Sequence, residues 1–179
     1  MHRVIKGYWQ DEAIDQAKQE IDSITNWKDC GYNKRLSNRD FPPTIAKIIK
    51  RAMSPEFIAR YIGYGLDPDP AFNGGGVHSS LPSGYLRMHR DFNKLVNGGW
   101  RVSNLLLYLN RTWSGGELLV NGDRIAPEAN TMVILNPENW HGHPEPCGER
   151  RDSIALYYYS KDKPPGYVER LVTDYEFKE

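Results

Sequence analysis

The sequence predicts a single, mainly β domain: an antiparallel sandwich or barrel with the strand count of a jelly roll, supported by N-terminal α-helices. Three observations carry that expectation. The length of 179 residues suits one domain, and 39% hydrophobic with 12% aromatic residues is enough to bury a core. Ahead of Asp67 the apolar residues recur at helical steps. After Gly84 they fall in short β-favouring runs broken by turn residues, and with one further run near Val77 the count reaches about eight.

From Asp11 to Ile24, the residues Ile14, Ala17, Ile21 and Ile24 lie at three- and four-residue steps, which predicts a helix with one buried stripe. A second helix follows Pro43, with Ile45, Ile48, Ile49 and Ala52 on one face. Ser54-Pro55-Glu56 reads as an N-cap with proline in the first turn of a third. The segment Asp67 to Gly84 is rich in Pro, Gly and Ser, so it is expected to be mostly loop and a candidate lid, with a short strand around Val77 to Leu81. Strands are predicted near Tyr85 to Phe92, Arg101 to Leu109, Glu117 to Val120, Arg124 to Ala126, Thr131 to Leu135, Trp140 to His143 and Ser153 to Tyr159. Asn97-Gly98-Gly99, Ser114-Gly115-Gly116, Asn121-Gly122-Asp123, Asn136-Pro137 and Cys147-Gly148 supply the turns between them. The organisation expected is one domain over 1–179: helical support in 1–66, the loop in 67–84, the β core in 85–160 and a C-terminal tail in 161–179.

Composition narrows the chemistry. Lys and Arg total 23, as do Asp and Glu, so the formal charge is zero and a broad nucleic-acid footprint is not expected. No apolar run approaches the length of a membrane span or has the flanks of a signal peptide, which points to a cytoplasmic protein away from membranes. Cys30 and Cys147 are far apart and outside any CxxC spacing, so they are expected to be reduced bystanders; Cys147 and His2 read as surface residues.

His89-Arg90-Asp91 is the first chemical feature, because residues i and i+2 of a strand share a face and can reach one ion. Alone it is weak evidence, since an HxD arises by chance in a chain of this composition about one time in three. A distant Trp140-His141-Gly142-His143 changes the odds, for two histidines and one carboxylate leave half an octahedron open, the facial geometry of non-haem Fe(II) oxygenases. Either His141 or His143 can supply the third ligand if that segment is extended. Arg151 follows far enough on to turn a corner and run back along the neighbouring strand, where its guanidinium can clamp a carboxylate bidentately. Ser153 shares its face, and alternation turns Arg150 outward. Tyr85 and Arg87 share a face with His89, either lining the pocket or serving as ordinary strand residues.

The stretches GGGVHSS, GYLRMHRDFN, RVSNLLLYLNRTWSGGEL, IAPEANTMVILN, WHGHPEP and RRDSIALYYY resemble, in order, the Fe(II)/2-oxoglutarate-dependent oxygenases of the prolyl 4-hydroxylase-like branch. The resemblance implies a double-stranded β-helix of cupin type, with iron held by His89, Asp91 and His141, since the family's HG pattern favours His141 over His143. It implies 2-oxoglutarate with its far carboxylate on Arg151, Tyr108 as a further partner and Ser153 matching an R-x-S variant of the arginine motif. Dioxygen is the other co-substrate, and ascorbate is a further candidate. The family's tyrosine ahead of the first ligand has no counterpart at His78 or Ser79. An aspartate at the carboxylate position implies hydroxylation rather than halogenation. The first substrate expected is a prolyl residue in a peptide or protein, with Trp113 and Trp140 placed to pack on its ring. A free amino acid or other small molecule is the alternative, and a non-catalytic cupin-type metal- or sugar-binding module is the alternative of another class.

Overall fold

The computed structural model describes residues 2–95 and 98–176. In chain order the elements are β1 (His2–Lys6), α1 (Asp11–Glu20), β2 (Lys28–Gly31), β3 (Lys34–Ser37), α2 (Pro43–Ala52), α3 (Pro55–Phe57), β4 (Asp67–Pro68), β5 (Gly76–Ser80), β6 (Leu86–Arg90) and β7 (Trp100–Tyr108). They continue with β8 (Leu118–Val120), β9 (Asp123–Ile125), β10 (Thr131–Leu135), β11 (His141–His143), β12 (Arg151–Ser160) and β13 (Asp174–Tyr175). Among the described residues, one antiparallel sheet runs β1-β10-β7-β12-β5-β3-β2 with β4 beside β12, and a second runs β13-β6-β11-β8-β9. This is a double-stranded β-helix with helices against the outer face of its larger sheet. None of the described helices is long and apolar enough to cross a membrane.

Alternation along β12 shows why the larger sheet has two different faces. Ile154, Leu156 and Tyr158 join Ile14, Ile45, Ile48 and Ile49 in the core beneath the helices. Arg151, Ser153, Ala155 and Tyr157 face the other way, into the space between the sheets. On β7, Leu105 and Leu107 go to the helical side, while Asn104 and Leu106 face the interior. Tyr108, Leu118, Val120, Ile125, Val133 and Leu135 close the far end of that interior. The rigid wall carrying Arg151 is therefore fixed from behind by the helices.

The helical stripes and the run of strands from β6 to β12 follow the sequence expectation. Ser54 caps α3, its Oγ accepting from the Phe57 amide at 3.3 Å. Four features differ. The N-terminal third holds β1, β2 and β3 besides its helices, because a sheet edge can recruit short polar strands that carry no hydrophobic alternation. The segment proposed as a lid is instead pinned. Gly76–Ser80 lies between β12 and β3, and the buried Asp69 accepts from the Ala71 and Asn73 amides and from the Tyr159 hydroxyl. The C-terminal tail is a strap whose β13 pairs with β6, placing Tyr175 opposite His89. Cys147 is buried rather than on the surface, because its Sγ packs where any side chain at Gly116 would stand, beside the Arg151 stem. The predicted turn at Asn97-Gly98-Gly99 falls outside the described residues at Asn97.

Candidate active site

β6 and β11 are antiparallel neighbours with His141 directly opposite His89, and Asp91 follows the end of β6. All three residues are buried, and one ligand atom from each lies within 4.8 Å of the others. The His89 Nε2 is 3.6 Å from one carboxylate oxygen of Asp91 and the His141 Nε2 is 3.5 Å from the other. Each ring is oriented from behind. His89 donates through Nδ1 to the Arg87 carbonyl at 2.8 Å, and His141 to the Asn139 carbonyl at 2.9 Å. A proton held on Nδ1 leaves the Nε2 lone pair free on both rings, the tautomer a metal requires.

Asp91 is held as a carboxylate. Burial alone would raise its pKa, but in the metal-free site the protonated forms of His141 and His89, with Arg101, carry it well below the usual carboxylate range; a bound metal ion would take the place of the two Nε2 protons. Asn104 donates to it from β7. Arg101 stands 3.8 Å away, almost wholly buried between Phe92 and Tyr157 at 3.9 and 3.6 Å from the ring centroids. Two neutral imidazoles and one carboxylate, converging and supported by hydrogen bonds, suit a borderline divalent ion such as Fe(II).

The interior between the sheets runs from these groups to Arg151, which lines the same pocket. Its Nη2 donates to the Tyr108 hydroxyl at 2.9 Å, while its Nε is buried without a hydrogen-bond partner. Ser153 lies in register between Tyr108 and His78, and all but Tyr108 line the pocket. His143 faces this end, 3.4 Å from the Ser80 hydroxyl, rather than joining the other three. Arg150 turns outward to Asp22 and Asp152, at 2.6 and 2.9 Å. Tyr85 packs on Tyr32 and Arg87 on Tyr175, and neither lines the pocket. Trp140 lies under the Arg90 guanidinium.

Several supporting residues escaped the sequence reading. Asn104 and Arg101 were detectable as polar interruptions of an apolar strand. Arg170 reaches back from the strap to the Asp91 carbonyl at 3.1 Å while binding Glu138 at 2.6 and 3.0 Å, a contact with no local signal. Lys34 lines the pocket from β3, a strand that was not expected.

Residues 75–159 match a family model described as the 2OG-Fe(II) oxygenase superfamily. No curated protein sequence matches the chain. Among solved structures, the viral collagen prolyl hydroxylase of Paramecium bursaria Chlorella virus-1 in complex with 2OG is similar, at 16% identity and a TM-score of 0.61 over 89% of this chain and 95% of that one. HygX from Streptomyces hygroscopicus, with nickel and 2-oxoglutarate bound, gives 14% identity and a TM-score of 0.69 over 96% and 92%. A prolyl hydroxylase from Trichoplax adhaerens in complex with a hypoxia inducible factor peptide gives 15% identity and 0.65 over 89% and 84%.

A double-stranded β-helix whose paired inner strands bring two histidines to one aspartate defines a non-haem metal enzyme. Residues 75–159, the stretch whose strands carry those residues, match the 2OG-Fe(II) oxygenase superfamily, which supports a dioxygenase that uses Fe(II) and 2-oxoglutarate.

Proposed function

We propose that the enzyme hydroxylates a C–H bond of a prolyl residue in a peptide or protein, with release of succinate and carbon dioxide. The observation that carries the reading is the joining of the His89, Asp91 and His141 cluster to Arg151 through one enclosed pocket. In this reading those three residues hold Fe(II), which when bound supplies the oxidising chemistry with dioxygen and 2-oxoglutarate. Arg151, braced from behind by the Tyr108 hydroxyl, holds the far carboxylate of the co-substrate in a dry site, where a charge-assisted bond is strongest. Asn104 and Arg101 keep Asp91 ionised and aimed, and the Arg87 and Asn139 carbonyls keep both imidazoles in the metal-binding tautomer.

A groove of about 750 Å³ bounded by Phe92, the residue after Asp91, and by Asp69, Lys94, Tyr159 and Leu171 is large enough to take an extended chain. The fold shared with two prolyl hydroxylases, one in complex with a peptide, supports that choice. The likeness to HygX, also solved with hygromycin B, supports a small-molecule substrate as the second reading. Incubation of the iron-loaded enzyme with a peptide library and, separately, with free amino acids, followed by mass spectrometry, separates them. A gain of one oxygen on a prolyl residue is expected. Turnover confined to small molecules contradicts the peptide assignment.

A further inference from the structure

Lys34 is a cation in the pocket that the assignments above leave unused. Register places it: Lys34 on β3 pairs with Ser80 on β5, and Ser80 pairs with Arg151 on β12. Residues in one row across antiparallel strands share a face, so Lys34, Ser80 and Arg151 point into the same interior. Two strand spacings separate the two cationic residues, roughly 10 Å between backbones, which their long side chains can span. Lys34 and Arg151 both line the pocket.

Neither cation is neutralised there. Among the described residues, no ion pair joins Lys34 to a carboxylate, and Arg151 keeps a buried, unpartnered Nε. Burial and the Arg151 charge push the Lys34 pKa down to about 8, so at neutral pH both cations still face one another in a poorly solvated space. Two like charges held this way form an anion site completed by what binds between them.

We propose that Lys34 is a second cationic partner of the far carboxylate of 2-oxoglutarate, shared with Arg151, and that it sets selectivity for a 2-oxo diacid over a 2-oxo monoacid. This rests on the co-substrate reading of the pocket. The donor comes from an N-terminal strand outside the matched stretch of residues 75–159.

The test is anaerobic calorimetric titration of the Fe(II)-loaded protein with 2-oxoglutarate and with 2-oxopentanoate, which has the same chain length but no far carboxylate. Native protein, Lys34→Met, Lys34→Gln and Arg151→Met are compared, and the iron content of each is measured. In both Lys34 variants, 2-oxoglutarate binding is expected to weaken about 30-fold or more, with iron content and 2-oxopentanoate binding unchanged. If 2-oxoglutarate affinity stays within about two-fold of native in a folded Lys34 variant while Arg151→Met weakens it, Lys34 is not a partner and the co-substrate reading stands. If iron-loaded native protein binds neither acid, that reading fails and the proposal with it. Should both variants lose iron, Lys34 holds the strands rather than the ligand, and the proposal is overturned.

Discussion

At the scale of single residues, the metal cluster depends on groups that never touch the metal. Asn104 fixes one oxygen of Asp91, so Asn104→Leu should weaken Fe(II) binding roughly 10- to 100-fold while the fold persists, measurable by competition with a chelator. His78 offers a test by pH. Its strand position is half-buried, but its ring lies in the pocket, where withdrawal from water and the Lys34 charge lower its pKa to about 3. A histidine with a folded pKa below its unfolded value near 6.5 leaves the unfolded chain binding more protons between those values, so stability is lost as pH falls through that window. The slope is about 1.4 kcal/mol per pH unit below 6.5 for one such group. Chemical denaturation of the metal-free protein at pH 7 and pH 5 should show this loss in the native chain and a smaller one in His78→Phe. Equal losses would mean that the ring titrates freely.

At the scale of elements, two contacts set where the ligands stand. Gly142 separates the two histidines of β11, and a Cβ there would lie 2.7 Å from the Arg87 carbonyl and 2.8 Å from that of Leu86. Gly142→Ala must therefore push β11 off β6, costing about 1–3 kcal/mol of stability and weakening metal binding as His141 and His89 separate. Behind the larger sheet, Glu20 at the end of α1 caps α2. Its carboxylate accepts from the Thr44 and Ile45 amides at 2.9 and 3.1 Å and from the Thr44 hydroxyl at 2.7 Å. Glu20→Ala should cost about 1–2 kcal/mol in thermal or chemical denaturation, with little change in the metal site. The main helices and the strands from β6 to β12 were legible because their apolar spacing matches the period of the structure they form. β1, β2 and β3 were not. Residues such as Lys28, Asp29, Lys34 and Arg35 are strand-forming only because a sheet edge receives them. The glycines of the 67–84 segment suggested mobility, but Gly76 instead permits close approach, since a Cβ there would meet the Ser37 carbonyl at 2.2 Å. The His89 and Asp91 pair was visible in the spacing, whereas the choice of His141 over His143 came from the family resemblance; Asp91's supporting partners were not legible, because Asn104, Arg101 and Arg170 are brought to it by long-range pairing.

At the scale of the whole molecule, the zero net charge of the sequence conceals strong local separation. Cations gather inside the double-stranded β-helix at Arg101, Arg151 and Lys34, while ion pairs such as Arg111 with Asp15 and Arg124 with Glu145 balance charge on the outside. The C-terminal strap ties the outside to the centre through Arg170, whose guanidinium joins Glu138 to the Asp91 backbone. Arg170→Ala should lower Fe(II) affinity about 10-fold without unfolding the sheets, read by chelator competition alongside circular dichroism. The central claim is that one interior holds a metal at His89, Asp91 and His141 and a 2-oxo acid reaching to Arg151. Its most direct measurement is the visible spectrum of the anaerobic Fe(II) protein as 2-oxoglutarate is added. A weak metal-to-ligand charge-transfer band should grow in to saturation in the native chain and be absent from Asp91→Ala; native protein that retains iron yet develops no band would contradict the claim.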